Sequence, residues 1–292
     1  MAVALERFNR IINLTFYRKT GLPITIKCPT KGRKPNIEIN GNFTAKSYLP
    51  AFNITVKNLY LELKGEQYTK LKVEAGYEGN TVEFTGTIMT MFQEEPGPEG
   101  KTIIQCMYGN AQSWLDATVK MAYEKGTPLT TVLAELGKKI QVYRTRSGTT
   151  VKTLTMPERF ECDGTARDAI EKLKKVFTDK NLAIFVSDNL LKAICMAKGD
   201  HIQAHTLQYM SAPPQENTGD ESGTFYTTVT APWEPKLQIG DQLIIPSRVY
   251  MRNMISVGNI KGKQTIQVTT LSFHFGTTGG TNSMTVQGFL VG

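Results

Sequence analysis

Alternation of apolar and polar residues constrains the fold of this chain more than any other feature. From Leu22 to about Cys106, short alternating segments are separated by turn-forming residues. Val82 and Phe84 fall on one face of such a segment, whereas Glu83 falls on the other. Because successive side chains of a strand point to opposite faces of a sheet, this region is predicted to consist of half-buried β-strands.

The period changes to that of α-helices in the middle of the chain. Thr127 and Pro128 are expected to supply an N-cap and a first helical residue, and apolar residues recur at helical spacing over residues 129–140. A second helix is predicted to begin at Thr165, whose hydroxyl can form a capping box with Asp168. The same module is expected to hold a shorter helix and two strands, at residues 111–123, 182–186 and 191–196.

A polar segment rich in turn-forming residues, Ser211 to Gly223, follows the middle module and indicates a linker or a long exposed loop. Beyond it the alternation returns, and it predicts four strands at residues 225–230, 241–245, 266–275 and 284–290. The pattern therefore predicts a mixed β and α+β protein, in which two β domains flank one small α/β domain.

The composition is that of a globular protein with an excess of positive charge. Hydrophobic residues make up 40% of the chain and charged residues 21%, and no stretch approaches the roughly 20 apolar residues of a membrane helix. The first residues lack the pattern of a secretory signal, so we expect the chain to fold in the cytoplasm. The net charge of +8 favours an acidic partner, surface or nucleic acid without identifying one.

The cysteines and histidines do not indicate a metal site. The cysteines have no C-x-x-C spacing, so neither zinc nor a disulfide framework is predicted, and we expect buried thiols at Cys28, Cys106, Cys162 and Cys195. His201 and His205 have the spacing of a helical metal pair, but they lie in a strand-like segment that would hold them far apart. His274 lies within a predicted strand, where a hydrogen-bonded structural role is more common than catalysis.

No arrangement of nucleophile, base and orienting group stands out in the sequence. The segment from Gly258 to Gln264 is one residue short of a phosphate-binding loop and lacks the metal-binding hydroxyl, so we interpret it as a β-turn. Glu94, Glu95 and Glu99 cluster, but they lie in a Pro/Gly-rich loop that cannot hold catalytic carboxylates at a fixed separation. We therefore predict a protein that is not an enzyme and that needs no cofactor or metal.

The order of modules along the chain resembles that of one family. A Gly240-Asp241 turn is followed by an Ile-rich strand and then by a strand that contains His274. Near the other end, a strand with Asn58 followed by Leu precedes an Ala-Gly-Tyr strand that ends at Tyr77. With the helix–strand module between them, these segments resemble the baseplate hub proteins of contractile phage tails, the late-control D family, which is related to type VI secretion spike subunits.

This resemblance implies a specific architecture and assembly. Residues 1–106 and 201–292 would be two tube-type β-barrel domains that flank an α/β insert domain at residues 107–200. Three copies would form a ring with pseudo-six-fold symmetry between the tail tube protein and the central spike protein, beside other baseplate proteins. The lumen would pass the tape-measure protein and then DNA. Trp233, Tyr250 and His274 are our predicted interface residues.

Two other functions remain open at the level of sequence. A tail-associated cell-wall or polysaccharide hydrolase would account for the acidic loop, with Trp114 and Trp233 as sugar platforms, although packing of these rings is the more common role. A binding module for DNA or a host surface would account for the charge of +8.

Overall fold

The structure is a computed structural model. It describes residues 9–29, 34–45, 51–57, 68–94, 100–109, 115–142, 144–187, 190–196, 200–207, 209–211, 214–217, 226–246, 248–251, 257–259, 263–278 and 282–291.

Strands dominate both ends of the described chain. The N-terminal β region contains β1 (Arg10–Arg18), β2 (Ile24–Ile26), β3 (Asn36–Thr44), β4 (Ala51–Lys57), β5 (Tyr68–Tyr77), β6 (Asn80–Glu94) and β7 (Lys101–Tyr108). The middle module contains β8 (Thr118–Tyr123), helix α1 (Leu129–Lys139), β9 (Arg144–Ser147), β10 (Phe160–Thr165), helix α2 (Ala166–Val176), β11 (Leu182–Ser187) and β12 (Leu190–Cys195), with two 3-10 turns at Val151–Thr153 and Thr178–Lys180.

The C-terminal β region is built from shorter strands and one long hairpin. It contains β13 (Ala204–Thr206), β14 (Tyr209–Met210), β15 (Gln215–Asn217), β16 (Tyr226–Ala231), β17 (Gln242–Ile245), β18 (Arg248–Met251), β19 (Val257–Asn259), β20 (Gln264–Gly276) and β21 (Ser283–Val291). β15 lies inside the segment that we predicted to be a linker or loop, and it pairs with β16. That expectation was therefore wrong for residues 215–217.

One large sheet joins the two β regions. Its strand order is β15-β16-β21-β20-β3-β4-β7-β6-β5-β1-β2, and β17 pairs with β20 as a branch that also carries β13. The junction is the antiparallel pairing of β20 with β3, in which Phe273 lies opposite Gly41. Among the described strands the sheet is an open path from β15 to β2, so the predicted β-rich mixed fold is present without a closed barrel.

Alternation decides which side chains this sheet buries. In β3 Ile37 and Ile39 are buried while Glu38 between them is partly exposed, and β4 buries Phe52, Ile54 and Val56 in the same alternating way. A single hydrophobic core covers both β regions and also receives apolar side chains from β11 and β12, and a second core lies within the middle module. The boundaries at residues 106/107 and 200/201 stay a prediction.

The helices agree with the sequence except in two details. α2 has the predicted capping box, because Asp168 N donates to Thr165 Oγ1 and Thr165 N donates to Asp168 Oδ2. In α1 the N-cap position is Pro128 and not Thr127, with no side-chain cap, and the Thr127 hydroxyl donates to the Glu124 carbonyl outside the helix. The predicted helix at residues 111–123 was wrong at residues 118–123, which form β8 and pair with β10. No helix in the described ranges is long and apolar enough to span a membrane.

Candidate functional site

The two ends of the large sheet are the first candidate surfaces. β2 ends the path on one side, where Thr25 is exposed and Ile24 and Ile26 are partly buried. β15 ends it on the other side. An edge strand presents backbone donors and acceptors that another strand can pair with, so the two ends of one sheet can join different copies of the chain.

The Gly-Asp turn holds the strands of the C-terminal region in place. Gly240 has a φ of +86°, a left-handed conformation that favours glycine. Asp241 is 4% exposed, and its Oδ2 accepts from Gln238 N at 3.0 Å and lies 3.1 Å from His205 Nε2. His205 belongs to β13, which pairs with β17 directly after the turn. Gly240 and Asp241, which are part of the family resemblance, therefore have a structural role in this turn.

Hydrogen bonds around Asp200 attach the middle module to the sheet. Asp200 is 1% exposed, and its carboxylate accepts from Thr150 N at 2.7 Å and Cys195 N at 2.9 Å. The carbonyl of Asp200 accepts from Gln267 Nε2 of β20 at 2.6 Å, and the buried Lys192 donates to Gln238 Oε1. The sequence pattern did not predict a role for these residues, although the lysine inside the apolar run of β12 was an available signal.

Trp233 lies in the core of the subunit. It is 2% exposed, and its ring stacks on Phe273 with a centroid distance of 4.9 Å and contacts Phe275 at 4.4 Å. No ring face is left for a sugar, so packing is the role that the structure supports. The assignment of Trp233 to a subunit interface stays a prediction. Because its ring is buried, it could affect such an interface only by supporting the residues that pack over it.

Trp233 also borders an apolar cleft between the two β regions. The N-terminal region contributes Phe43, Phe84 and Tyr108 to the lining, and the C-terminal region contributes Phe273. The Phe43 and Tyr108 rings meet edge to face at 4.9 Å, and Phe43 meets Phe273 at 5.4 Å. The cleft therefore belongs to the aromatic contact that unites the regions.

The other two predicted interface residues lie on different strands. His274 of β20 is partly exposed, opposite Asn40 of β3 and Ser283 of β21. Tyr250 lies on β18 opposite Tyr209, in a separate three-stranded sheet. The structure does not bring Tyr250 and His274 into one sheet, and their interface role stays a prediction.

The residues of the hydrolase alternative form no described site. Glu94 is exposed at the end of β6, opposite Lys101. Glu95, Glu99 and Trp114 lie outside the described residues. Within the described ranges no group of three or more His, Cys, Asp or Glu residues is arranged to hold a metal ion.

All four cysteines are free and buried, as predicted. Burial raises the pKa of the Cys106 thiol to about 12 and also raises the pKa of Cys162. A thiol with a raised pKa carries little thiolate at neutral pH, which is the reactive form. Cys106 and Cys162 are therefore packing residues.

Comparison with known proteins identifies the fold. No protein-family model matches the sequence, and no curated protein matches it significantly. Among solved structures, the 43 kDa tail protein of prophage MuSo2 from Shewanella oneidensis matches with a TM-score of 0.57 and 9% identity, over 96% of this chain and 97% of that chain. The tail protein from Neisseria meningitidis MC58 matches with a TM-score of 0.56 and 8% identity, over 97% of both chains.

A third structure connects the fold to secretion. The E. coli c3393 protein, a type VI secretion component with structural similarity to the T4 bacteriophage tail proteins gp27 and gp5, matches with a TM-score of 0.56 and 8% identity, over 89% of this chain and 75% of that chain. The chain therefore has the fold of these phage tail and type VI secretion proteins, which confirms at the level of fold the hub-like resemblance predicted from the sequence.

Proposed function

We propose that this protein is a structural subunit of the baseplate hub of a phage tail. Three copies form a ring of pseudo-six-fold symmetry that joins the tail tube to the central spike and leaves a channel for genome ejection. The protein acts in the virion, at the tail baseplate, as an adaptor and not as an enzyme.

The observation that carries this proposal is the similarity of fold over nearly the whole chain to two tail proteins of comparable extent. A match over 96% of this chain leaves little room for an added catalytic domain within it. Fold alone does not determine function, so the sheet supplies the second support. Its open path ends in β2 and β15, and joining these edges between copies would satisfy their backbone groups and close a ring.

Native mass and negative-stain imaging of the purified chain test this proposal. We expect a trimer that appears as a ring with a central opening. A chain that stays monomeric, or that forms a closed dimer without an opening, would contradict the ring. Release of sugar or peptide fragments from purified cell walls would instead support the hydrolase alternative.

A further inference from the structure

A short segment of the middle module carries exposed charge of one sign. Residues 136–157 include no acidic residue and five basic residues, namely Lys138, Lys139, Arg144, Arg146 and Lys152. All five side chains are exposed. A surface with charge of one sign attracts partners of the opposite sign and repels others, so this segment favours an anionic partner.

The two arginines of β9 are not neutralised by the described part of the chain. Lys120 of the same module lies 2.9 Å from Asp163, and Lys138 lies 3.5 Å from Glu135. No such ion pair joins either arginine of β9 to a described residue. Their charge is therefore free to act on a partner.

One buried carboxylate, that of Asp200, lies at the end of β9, where a Cβ added at Gly148 would lie 2.2 Å from Asp200 Oδ2. Asp200 is 1% exposed and accepts from Thr150 N and Cys195 N. It holds backbone N–H groups and forms no ion pair with the exposed arginines. Asp188, between β11 and β12, lies outside the described residues.

β9 is an end strand of the three-stranded sheet, whose order is β11-β12-β9. Its parallel register with β12 places Ser147 opposite Ala193, and Gly148 N donates to the Ala193 carbonyl at 2.9 Å. Backbone groups of a strand turn to alternate sides with a period of two residues, so Thr145 and Ser147 direct theirs away from β12. Among the described strands, none pairs with that side of β9.

The same side of the chain already accepts a main-chain partner just past the end of β9. Thr149 has the parity of Thr145 and Ser147, and its N–H donates to the carbonyl of His201 at 3.3 Å. In the described part of the chain, neither Thr145 nor Ser147 has a hydrogen bond outside the β9–β12 pair. Their N–H and C=O groups therefore form a short free edge on which another strand can pair.

Arginine side chains border this free edge. Arg144 and Arg146 alternate with Thr145 and Ser147, so the two guanidinium groups share one face of the sheet. A strand added beside β9 would place its side chains about 5 Å from those of β9, within reach of an ion pair. Because a guanidinium group donates two parallel hydrogen bonds to one carboxylate, aspartate or glutamate at alternate positions of the added strand fits this edge.

We propose that the edge of β9, residues 144–147, binds an extended acidic segment of a partner protein as an added β-strand. Backbone groups of Thr145 and Ser147 pair with the segment, and Arg144 and Arg146 bind its carboxylates. Duplex DNA has the required charge, but phosphates accept hydrogen bonds without donating them, so they would leave the two free carbonyls unpaired. This inference does not depend on the proposed ring, since β9 lies in the middle module and not at either end of the large sheet.

Fluorescence anisotropy with the full chain tests the proposal. The probe is a short labelled peptide in which glutamate alternates with threonine, and a peptide with lysine in place of glutamate is its control. Arg144→Gln with Arg146→Gln should weaken binding of the probe by at least about tenfold. The matched control, Arg167→Gln with Lys175→Gln, removes two exposed charges from α2 and should change binding by less than about threefold.

A second pair of variants tests strand pairing without a change of charge. Thr145→Pro removes the outward N–H and none of the hydrogen bonds to β12, so it should weaken binding by about tenfold. Thr145→Val keeps the N–H and should bind the probe like the native chain. Equal binding by these two variants would mean that the arginines attract the peptide without a β-ladder, which would overturn the proposal.

Three other outcomes would also overturn it. The native chain binds neither peptide, so that the arginines serve only to keep β9 from pairing with other chains. Both charge variants weaken binding equally, so that the attraction is general. A short DNA duplex binds more tightly than the probe and with the same dependence on Arg144 and Arg146, so that the surface takes nucleic acid. A monomer in the native mass measurement would contradict the proposed ring and leave this inference standing.

Discussion

Asp200 shows how a single buried charge can determine the position of a module. Its carboxylate accepts hydrogen bonds from the backbone of Thr150 and Cys195, and a Cβ added at Gly148 would lie 2.2 Å from its Oδ2. The chain therefore closes around this carboxylate, and its own carbonyl accepts from Gln267 of the large sheet. Buried donors that lose a charged acceptor are costly, because no water replaces it.

The first prediction concerns this carboxylate. Asp200→Asn should lower the free energy of unfolding by about 3 kcal/mol, because an amide nitrogen would face backbone N–H groups that now donate to a carboxylate oxygen. Urea unfolding followed by circular dichroism measures the change. Asp163→Asn is the control, since this exposed partner of Lys120 should contribute within about 0.5 kcal/mol. Equal losses in both variants would contradict the assigned role.

A second prediction concerns Gly288, where two backbones of the sheet leave no room for a side chain. A Cβ at Gly288 of β21 would lie 1.9 Å from the carbonyl oxygen of Gln267, beside the bulge in β20. Gly288→Ala should therefore destabilise the protein by about 3 kcal/mol, since two backbones would have to separate. Gly276→Ala is the matched control, because a Cβ there meets its neighbours at ordinary distances, 3.4 Å or more. The melting temperatures of both variants provide the test.

At the scale of elements, helix α2 begins at the capping box that the sequence predicts, between Thr165 and Asp168. The hydrogen bond from the Thr165 backbone, followed by that from its side chain, lowers the pKa of Asp168 below its ordinary value. A carboxyl group with a lowered pKa in the folded state contributes stability above its unfolded pKa, and this contribution disappears as the pH falls through the folded pKa. Part of the acid sensitivity of this protein should thus arise at one helix terminus.

This gives a third prediction. Asp168→Asn should lower stability at neutral pH and should flatten the decline of stability from about pH 5 towards lower pH, because one titrating group is removed. Thr165→Ala should cost about 1 kcal/mol at neutral pH, the usual value of an N-cap. Urea midpoints at several pH values measure both effects. A slope for Asp168→Asn that equals that of the native protein would show that the box does not titrate in this range.

The edge strands permit a fourth prediction at the same scale. Thr25→Lys places a charge on the exposed position of β2, and charged side chains on edge strands oppose pairing with another chain. If the proposed ring closes through this edge, the variant chain should fold normally and its native mass should be that of a monomer instead of the proposed trimer. Thr69→Lys, at an exposed position of β5, which is paired on both sides, is the control. A trimer that survives Thr25→Lys would mean that the subunits join elsewhere.

At the scale of the whole molecule, the two β regions behave as one body. β3 and β20 share a ladder of hydrogen bonds, and one core includes side chains from both regions. A sheet built from segments more than 200 residues apart forms many long-range contacts, so its regions should gain stability together.

The fifth prediction follows from this shared core. In native-state hydrogen exchange, the paired amides of β3 and β20 should open with one common free energy, while the separate sheet of β14, β18 and β19 should open more easily. Denaturant dependence measured by mass spectrometry provides the test. If β3 stayed protected after β20 had opened, the two regions would be independent domains.

The sequence by itself determined the local elements of this protein. Alternation is a local signal, so it predicted β17, β20 and β21 near their observed bounds and placed Phe84 of β6 on the opposite face from Glu83. The Thr165–Asp168 spacing predicted the start of α2. It failed at residues 118–123, because a short apolar segment suits helix and strand equally until a partner such as β10 is present.

Only the tertiary structure decided which segments meet. The pairing of β20 with β3, the burial of Trp233 between Phe273 and Phe275, and the carboxylate of Asp200 depend on residues far apart in the chain. Periodicity reports which face of a strand is buried, but it carries no information about the neighbour that buries it.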